Sequence, residues 1–154
     1  MKNGREKEET KEAHYNFACV LSCGDPEIKI SLTRELDAPF GPKGYFWLPE
    51  LGGVKDFLSP DAPSDKDRLI RKIKKAHSIH PFGLIILINH SNCGAYKLSG
   101  HSFDDTQKEE QFHTEELKRA AEVIKKEFPG MVVEIWYFLK AEQKVAWKRM
   151  LPNL

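Results

Sequence analysis

The sequence predicts an α/β fold, a three-layer sandwich with a mainly parallel central sheet. The clearest observation is the apolar run at residues 84–88, Leu-Ile-Ile-Leu-Ile, in which polar and apolar residues do not alternate. A strand that is buried on both faces has this pattern, and such strands are typical of parallel sheets. The second observation is that short apolar segments alternate along the chain with longer segments of helical periodicity, as in βαβ units.

The charged start of the chain is expected to lie outside the folded domain. Residues 1–14 are dominated by Lys, Arg and Glu and contain few apolar residues. They predict a solvated tail or helix, because such a segment cannot bury enough apolar surface to become ordered by itself. Residues 15–154 are then expected to form a single domain.

The first strand and helix of that domain are predicted from residues 17–40. The apolar segment at residues 17–22 predicts a short buried strand. Asp25, followed by Pro26, predicts the N-cap and first turn of a helix. We expect this helix to run toward Leu36 and to stop before Pro39.

The middle of the chain predicts a further strand and helix before the central strand. Residues 45–48 are apolar and are followed by Gly52 and Gly53, which allow a close approach of the backbone to another group. Ser64 is the predicted N-cap of the next helix, with Asp67 as its capping-box partner. The apolar stripe of this helix consists of Leu69, Ile70, Ile73 and Ala76.

Two helices and a strand are predicted after the central strand. Residues 107–128 have an amphipathic pattern, and the Pro-Gly pair that follows ends the helix. Residues 131–139 predict another strongly apolar strand. Residues 142–150 are expected to form a last helix that covers the sheet or contacts another subunit.

Composition excludes several classes of protein. The chain of 154 residues has 31% charged residues and a formal net charge of +1, which provides no basic surface for nucleic acid. No apolar run is long enough to cross a membrane. The chain has three cysteines, and nothing in the sequence suggests secretion, so we expect a cytoplasmic protein with reduced thiols.

Residues that could bind a metal follow two predicted strands. His90 and Cys93 come after the central strand, and Cys23 and Asp25 follow the strand at residues 17–22. If the two strands are neighbours, four potential Zn²⁺ donors meet at the carboxyl edge of the sheet. Cys19 would lie about 13 Å from Cys23 along the strand, so we expect it to be a core residue. The alternative at this stage is a polar strand end with a buried structural thiol.

The remaining histidines are not expected to be metal ligands. His77 and His80 lie near the end of a predicted helix, where the helix dipole favours a positive charge. His101 and His113 are expected at the surface.

The two motifs together resemble those of the β-class carbonic anhydrases. Residues 21–25, Leu-Ser-Cys-Gly-Asp, are similar to the Cys-x-Asp-x-Arg motif, and residues 88–95, Ile-Asn-His-Ser-Asn-Cys-Gly-Ala, are similar to the His-x-x-Cys-Gly-Ala motif. The order of the predicted strands and helices at residues 15–145 also agrees with that fold.

The resemblance implies a zinc enzyme that interconverts carbon dioxide and bicarbonate. Its implied Zn²⁺ ligands are Cys23, His90 and Cys93, with hydroxide on the metal as the attacking group. Asp25 would be a catalytic residue that accepts a hydrogen bond from that hydroxide. The resemblance further implies a homodimer or a higher homo-oligomer, whereas the expectation of no nucleic-acid or membrane partner comes from the charge and hydropathy of the sequence.

The chain departs from the family pattern beside Asp25. The motif arginine, which in the family pairs with the aspartate and keeps it off the metal, is Glu27 in this chain. A second carboxylate at this position is expected to repel Asp25. Lys29, one helical turn along, could substitute as a point charge, although it lacks the planar grip of arginine. The Arg-Asn that precedes the glycines in the family is also missing, with Pro49 and Glu50 in its place.

Two alternatives to a carbonic anhydrase therefore remain open from the sequence. In the first, Asp25 is a fourth Zn²⁺ ligand and closes the site, so that the chain is a non-catalytic or differently specific zinc-binding relative. In the second, the chain is a nucleotide- or anion-binding α/β domain without a metal.

Overall fold

A computed structural model describes residues 17–151 of the chain. The predicted charged tail or helix at residues 1–14 lies outside the described residues. No helix within residues 17–151 is both long enough and apolar enough to cross a membrane.

A mixed sheet of five strands forms the centre of the described structure, in the order β2-β1-β3-β4-β5. The first four strands along the chain are parallel to one another, and β5 runs antiparallel to β4. The strands are β1 (Ala18–Ser22), β2 (Tyr45–Pro49), β3 (Leu84–His90), β4 (Val132–Leu139) and β5 (Lys144–Leu151). Every residue of β3 is buried, as the uninterrupted apolar run predicts.

Helices cover both faces of this sheet, which confirms the predicted three-layer α/β fold. The helices are α1 (Pro26–Phe40), α2 (Lys55–Leu58), α3 (Asp65–Ile79), α4 (Gly94–Leu98) and α5 (Thr106–Glu127). Successive residues of β3 point to opposite faces, so that Ile85 and Leu87 lie in a core with α2, α3 and α5. Ile86 and Ile88 lie in the other core with α1 and α4.

Each of the two predicted capped helices differs from expectation in one detail, the first in where it ends and the second in how it is capped. Asp25 caps α1, and its side chain accepts a hydrogen bond from the Glu27 N–H, but the helix continues through Pro39 to Phe40. Pro39 lies in the last turn, where its missing N–H costs one hydrogen bond and interrupts no further turns. Ser64 precedes α3 as predicted, but its side chain makes no capping hydrogen bond.

The predicted last helix at residues 142–150 is wrong, because this segment forms strand β5. Val145 and Trp147 are partly buried and their neighbours are exposed, which is the period of two expected of a strand with one covered face. A tight turn at residues 140–143 joins β4 to β5, with Gln143 at a positive φ of 52°. The segment therefore extends the sheet at its edge and does not cover a face.

Candidate metal centre

Three of the sequence-predicted donors meet because β1 and β3 are parallel neighbours in the sheet. Ser22, the last residue of β1, pairs with Ile88 near the end of β3. Cys23 therefore leaves the sheet at the same edge as His90, the last residue of β3. Cys93 lies at the N-cap of α4, after the turn that follows β3.

The donor atoms of these three residues are close enough for one metal ion. One ligand atom each from Cys23, His90 and Cys93 lies within 4.8 Å of the other two. The exposed fractions of the three residues are 5%, 1% and 3%. Two cysteines and one histidine are a donor set that Zn²⁺ accepts in proteins, with one of its four positions left to another group.

The His90 imidazole is oriented as a metal ligand would be. Its Nδ1 is 2.7 Å from the carbonyl oxygen of Ser91, which can only accept a hydrogen bond, so Nδ1 carries the proton. The Nε2 atom therefore presents a lone pair, and it is buried without a hydrogen-bond partner among the described residues. An orphaned buried nitrogen is costly unless another group binds it, and a metal ion beside the two cysteines fits this requirement.

The pKa values of the Cys23 and Cys93 thiols are shifted in opposite directions. A hydrogen bond from Cys93 holds the pKa of Cys23 well below its usual range against the opposing effect of burial, and His90 and the Gly52 N–H lower it further. The same hydrogen bond, together with burial, raises the pKa of Cys93, while the N–H groups of Tyr96 and Ala95 oppose this effect. One thiolate is thus stabilised in the protein alone, and a bound cation would favour deprotonation of the second thiol.

Cys19 is separate from this group, as the sequence predicted. It is fully buried in the core, where it pairs with Ile85 inside the sheet and not at the edge that carries the donors. Burial raises its pKa to about 12, as expected of a thiol among apolar side chains.

Asp25 lies beside the donor set and is held by two hydrogen bonds. Its Oδ1 accepts a hydrogen bond of 2.9 Å from the Glu27 N–H, and its Oδ2 accepts one of 2.8 Å from the Nζ of Lys140. Burial alone would raise the pKa of Asp25, but the two hydrogen bonds outweigh burial, so the pKa lies below its usual value. The Oδ2 atom is 3.9 Å from the Nε2 of His90.

Lys140 is the residue of the site that sequence reasoning missed, and its position corrects two expectations. Lys29, the expected substitute for the arginine, instead lies over the Trp47 ring, with Nζ 5.5 Å from the ring centroid. Glu27 does not act only by repelling Asp25, because its Oε2 lies 3.0 Å from the same Lys140 Nζ. A basic residue directly after a predicted apolar strand, at the edge that carries the donors, is the signal that could have identified Lys140.

The loop after β2 packs against the end of β3, where the glycine pair allows a close approach. Gly53 has a φ of 61°, and a Cβ there would lie 2.7 Å from the carbonyl oxygen of Ile88. The Val54 N–H donates to Oδ1 of Asn89, and the Asn89 Nδ2 donates to Nδ1 of His113. His113 is fully buried, so its predicted surface position is wrong.

No protein-family model matches this chain. An uncharacterized protein of Rickettsia bellii (strain RML369-C) is 28% identical over 130 residues, which are 82% of this chain and 79% of that protein. The structure of a carbonic anhydrase from Glaciozyma antarctica matches with a TM-score of 0.52 at 12% identity, over 94% of this chain and 92% of that chain.

A second carbonic anhydrase structure, from Streptococcus mutans, matches with a TM-score of 0.54 at 12% identity, over 97% of this chain and 95% of that chain. At this level of identity, the two likenesses establish the fold and not the reaction. The described residues therefore have the mostly parallel α/β architecture of these two carbonic anhydrase structures, which is the fold class that the sequence predicted.

Proposed function

We propose that the chain is a zinc-dependent carbonic anhydrase-like lyase that interconverts carbon dioxide and bicarbonate. The observation that carries the proposal is the buried, unpartnered Nε2 of His90, grouped with the thiols of Cys23 and Cys93 at the carboxyl edge of the sheet. The fold of the two carbonic anhydrases above supports the same reaction class.

Cys23, His90 and Cys93 would hold the zinc ion. When bound in this way, zinc lowers the pKa of water to about 7, which makes hydroxide available at neutral pH for addition to carbon dioxide. The Ser91 carbonyl would keep His90 in the tautomer that binds through Nε2. Asp25 would accept a hydrogen bond from the nucleophile and orient it, a role for which its carboxylate is suitably ionised.

A second candidate function is a non-catalytic zinc-binding relative in which Asp25 occupies the fourth position. The observation that favours it is the short distance, 3.9 Å, between Asp25 Oδ2 and His90 Nε2. In that case the metal would contribute to folding and the closed site would leave no position for substrate chemistry.

Stopped-flow hydration of carbon dioxide by zinc-quantified protein tests the first function. We expect catalysis that scales with bound zinc and is lost in Cys93→Ala, because this variant retains only two of the three donors. The matched control is Cys19→Ala, which removes a buried thiol outside the donor set and is expected to keep the activity per bound zinc. One zinc per chain with no rate above buffer between neutral and alkaline pH would reject the lyase and favour the closed site.

We also propose that the chain forms a homodimer or higher homo-oligomer in the cytoplasm. Strand β2 lies at one edge of the sheet, and its Tyr45, Phe46 and Trp47 are only partly covered by the described residues. Edge strands with exposed apolar side chains are suited to pairing with another chain. The cysteines Cys19, Cys23 and Cys93 are free, which fits a reducing compartment. Light scattering at several protein concentrations would establish the oligomeric state.

A further inference from the structure

Both carboxylate oxygens of Asp25 are occupied by donors from the protein. The Glu27 N–H holds Oδ1 at 2.9 Å, and the Lys140 ammonium holds Oδ2 at 2.8 Å. Oδ2 is also the atom that lies 3.9 Å from the Nε2 of His90. The oxygen positioned to reach the metal ligands is therefore the one that Lys140 binds.

Lys140 is itself fixed beside the metal ligands by its main chain. Its N–H donates a hydrogen bond of 2.9 Å to the Oγ of Ser91, which directly follows His90. Its carbonyl oxygen accepts a bond of 2.7 Å from the Nε2 of Gln143 in the turn between β4 and β5. The backbone of Lys140 is thus tied both to the end of β3 and to the hairpin.

Glu27 is a second carboxylate in contact with the ammonium group of Lys140. Its Oε2 is 3.0 Å from the Nζ of Lys140, while its N–H binds Asp25. A lysine is a flexible point charge and does not have the two-pronged planar geometry of arginine. Two carboxylates in contact with the same ammonium group restrict its position, which compensates for that flexibility.

We propose that Lys140 is a positioning residue that keeps the Asp25 carboxylate out of the fourth zinc position, with Glu27 holding Lys140 in place. The inference rests on the proposed zinc site. Coordination of the metal through Oδ2 would compete with the charge-assisted hydrogen bond that the same oxygen accepts from Lys140, and such a bond is among the stronger ones a side chain makes. Lys140 thereby supplies from the end of β4 the charge that the family motif supplies from position 27, and the fourth position stays open.

Binding of azide to the cobalt-substituted protein, followed by visible absorption, tests this inference without requiring activity. Cobalt(II) takes the place of zinc, and azide can bind only where the fourth position is free. We expect wild type and Lys140→Arg to bind azide. In Lys140→Met the apparent affinity should fall by about tenfold or more, because Asp25 then competes for the position.

Weaker azide binding in Lys140→Met could result from coordination of the metal by Asp25 or from simple repulsion of azide by the unpaired carboxylates. Two double variants of equal net charge distinguish these causes. Lys140→Met with Asp25→Asn and Lys140→Met with Glu27→Gln each remove one carboxylate beside the lost ammonium. Only the Asp25→Asn pair should restore azide binding, because only that pair removes the competing ligand. Lys144→Met is the matched single control, since Lys144 pairs with Glu142 in the same hairpin at 3.1 Å and should leave azide binding unchanged.

Several results would overturn the inference. These are unchanged azide affinity in Lys140→Met, equal restoration by both double variants, failure of wild type to bind azide, or failure of the chain to bind cobalt. Absence of carbon dioxide hydration in a wild type that shows the expected azide pattern would reject the proposed reaction and retain the role of Lys140. Hydration by a protein whose azide binding is insensitive to Lys140→Met would do the reverse.

Discussion

His113 shows at the scale of a single residue how burial fixes a protonation state. Its Nδ1 is 3.0 Å from the amide nitrogen of Asn89, which donates, so the proton of the neutral ring lies on Nε2. Nε2 is buried without a partner among the described residues. Burial lowers the pKa of His113 from 6.5 to about 3, and the neighbouring His90 and His101 add to this effect. His113 is therefore neutral at physiological pH.

This depressed pKa predicts a loss of stability on acidification. Between pH 6.5 and about 3 the unfolded chain binds a proton at His113 that the folded chain does not. Stability is therefore complete above pH 6.5 and falls as the pH falls, by up to about 1.4 kcal/mol for each pH unit from this residue.

His113→Gln removes the titration and retains an acceptor for Asn89. Urea unfolding of both proteins at equal zinc concentration should show a shallower pH dependence for the variant below pH 6.5. Parallel curves for the two proteins would contradict the assigned pKa.

The sequence predicts the residues of the site that belong to short local motifs, but not a residue that is far along the chain from the group it contacts. His90 and Cys93 belong to one short motif. Cys23 follows strand β1, and the pattern of apolar segments implies that this strand pairs with β3. Lys140 is 115 residues from Asp25, and nothing local to Asp25 identifies it. Without a register for β4, the sequence placed the compensating charge at Lys29, the nearest lysine one helical turn away.

The loop between β2 and α2 shows at the scale of an element how a backbone approach supports the site. Gly53 is in the left-handed region, and a Cβ there would lie 2.5 Å from Oδ1 of Asn89. Asn89 cannot move away easily, because its amide group also binds the Val54 N–H, Tyr96 and His113. The loop and the end of β3 are thus fitted to each other without space for a side chain.

Gly53→Ala is accordingly expected to destabilise the protein more than a glycine substitution at another positive φ. Gly100→Ala is the matched control, since Gly100 has a φ of +92° and a Cβ there meets nothing within 4 Å. Both variants have the left-handed strain, but only Gly53→Ala adds a collision, with an expected extra cost of about 1 to 3 kcal/mol. Equal unfolding free energies for the two variants in denaturant titrations would show that the loop can move away from Asn89.

Strand β5 is the element that the sequence wrongly predicted to be a helix. Only one face of this strand is covered, so its pattern of apolar residues is ambiguous. Residues 144–151 contain three basic residues among the apolar ones, and this mixture suits both a surface helix and an edge strand. The strand forms because the turn at residues 140–143 folds it back on β4, where Trp147 pairs with Tyr137. Pairing with β4 therefore decides that the segment is a strand, and local periodicity carries no information about this pairing.

At the scale of the whole molecule, the fold could be predicted because short sequence patterns imply contacts between distant parts of the chain. A fully apolar segment of a strand has to be covered on both faces, so the run at residues 84–88 alone requires a covering layer on each face of the sheet. The helices that supply those layers are strongly periodic, and the parallel order follows from the crossovers between strands. The same reasoning placed the donors at one edge, because parallel strands end together.

A metal at that edge would connect segments that are distant in the chain, and its removal should affect the stability of the whole molecule. Cys23 follows β1, while His90 and Cys93 belong to β3 and to the start of α4. A ligand that binds only the folded state adds about 4 kcal/mol at a concentration a thousand times its Kd, which for a chain of this size raises Tm by roughly 8 to 16 °C. We expect zinc to raise the Tm of wild type by an amount of this order and a strong chelator to reverse it.

Two cysteine variants show whether this increment comes from the proposed donors. Cys93→Ala should lose most of the increment, because two donors bind zinc far more weakly than three. Cys19→Ala should start from a lower Tm, since Cys19 is fully buried in the core, but should keep the full increment. Calorimetry with and without zinc would measure both effects. An increment that Cys93→Ala retains, or that Cys19→Ala loses, would place the stabilising metal at a different set of residues.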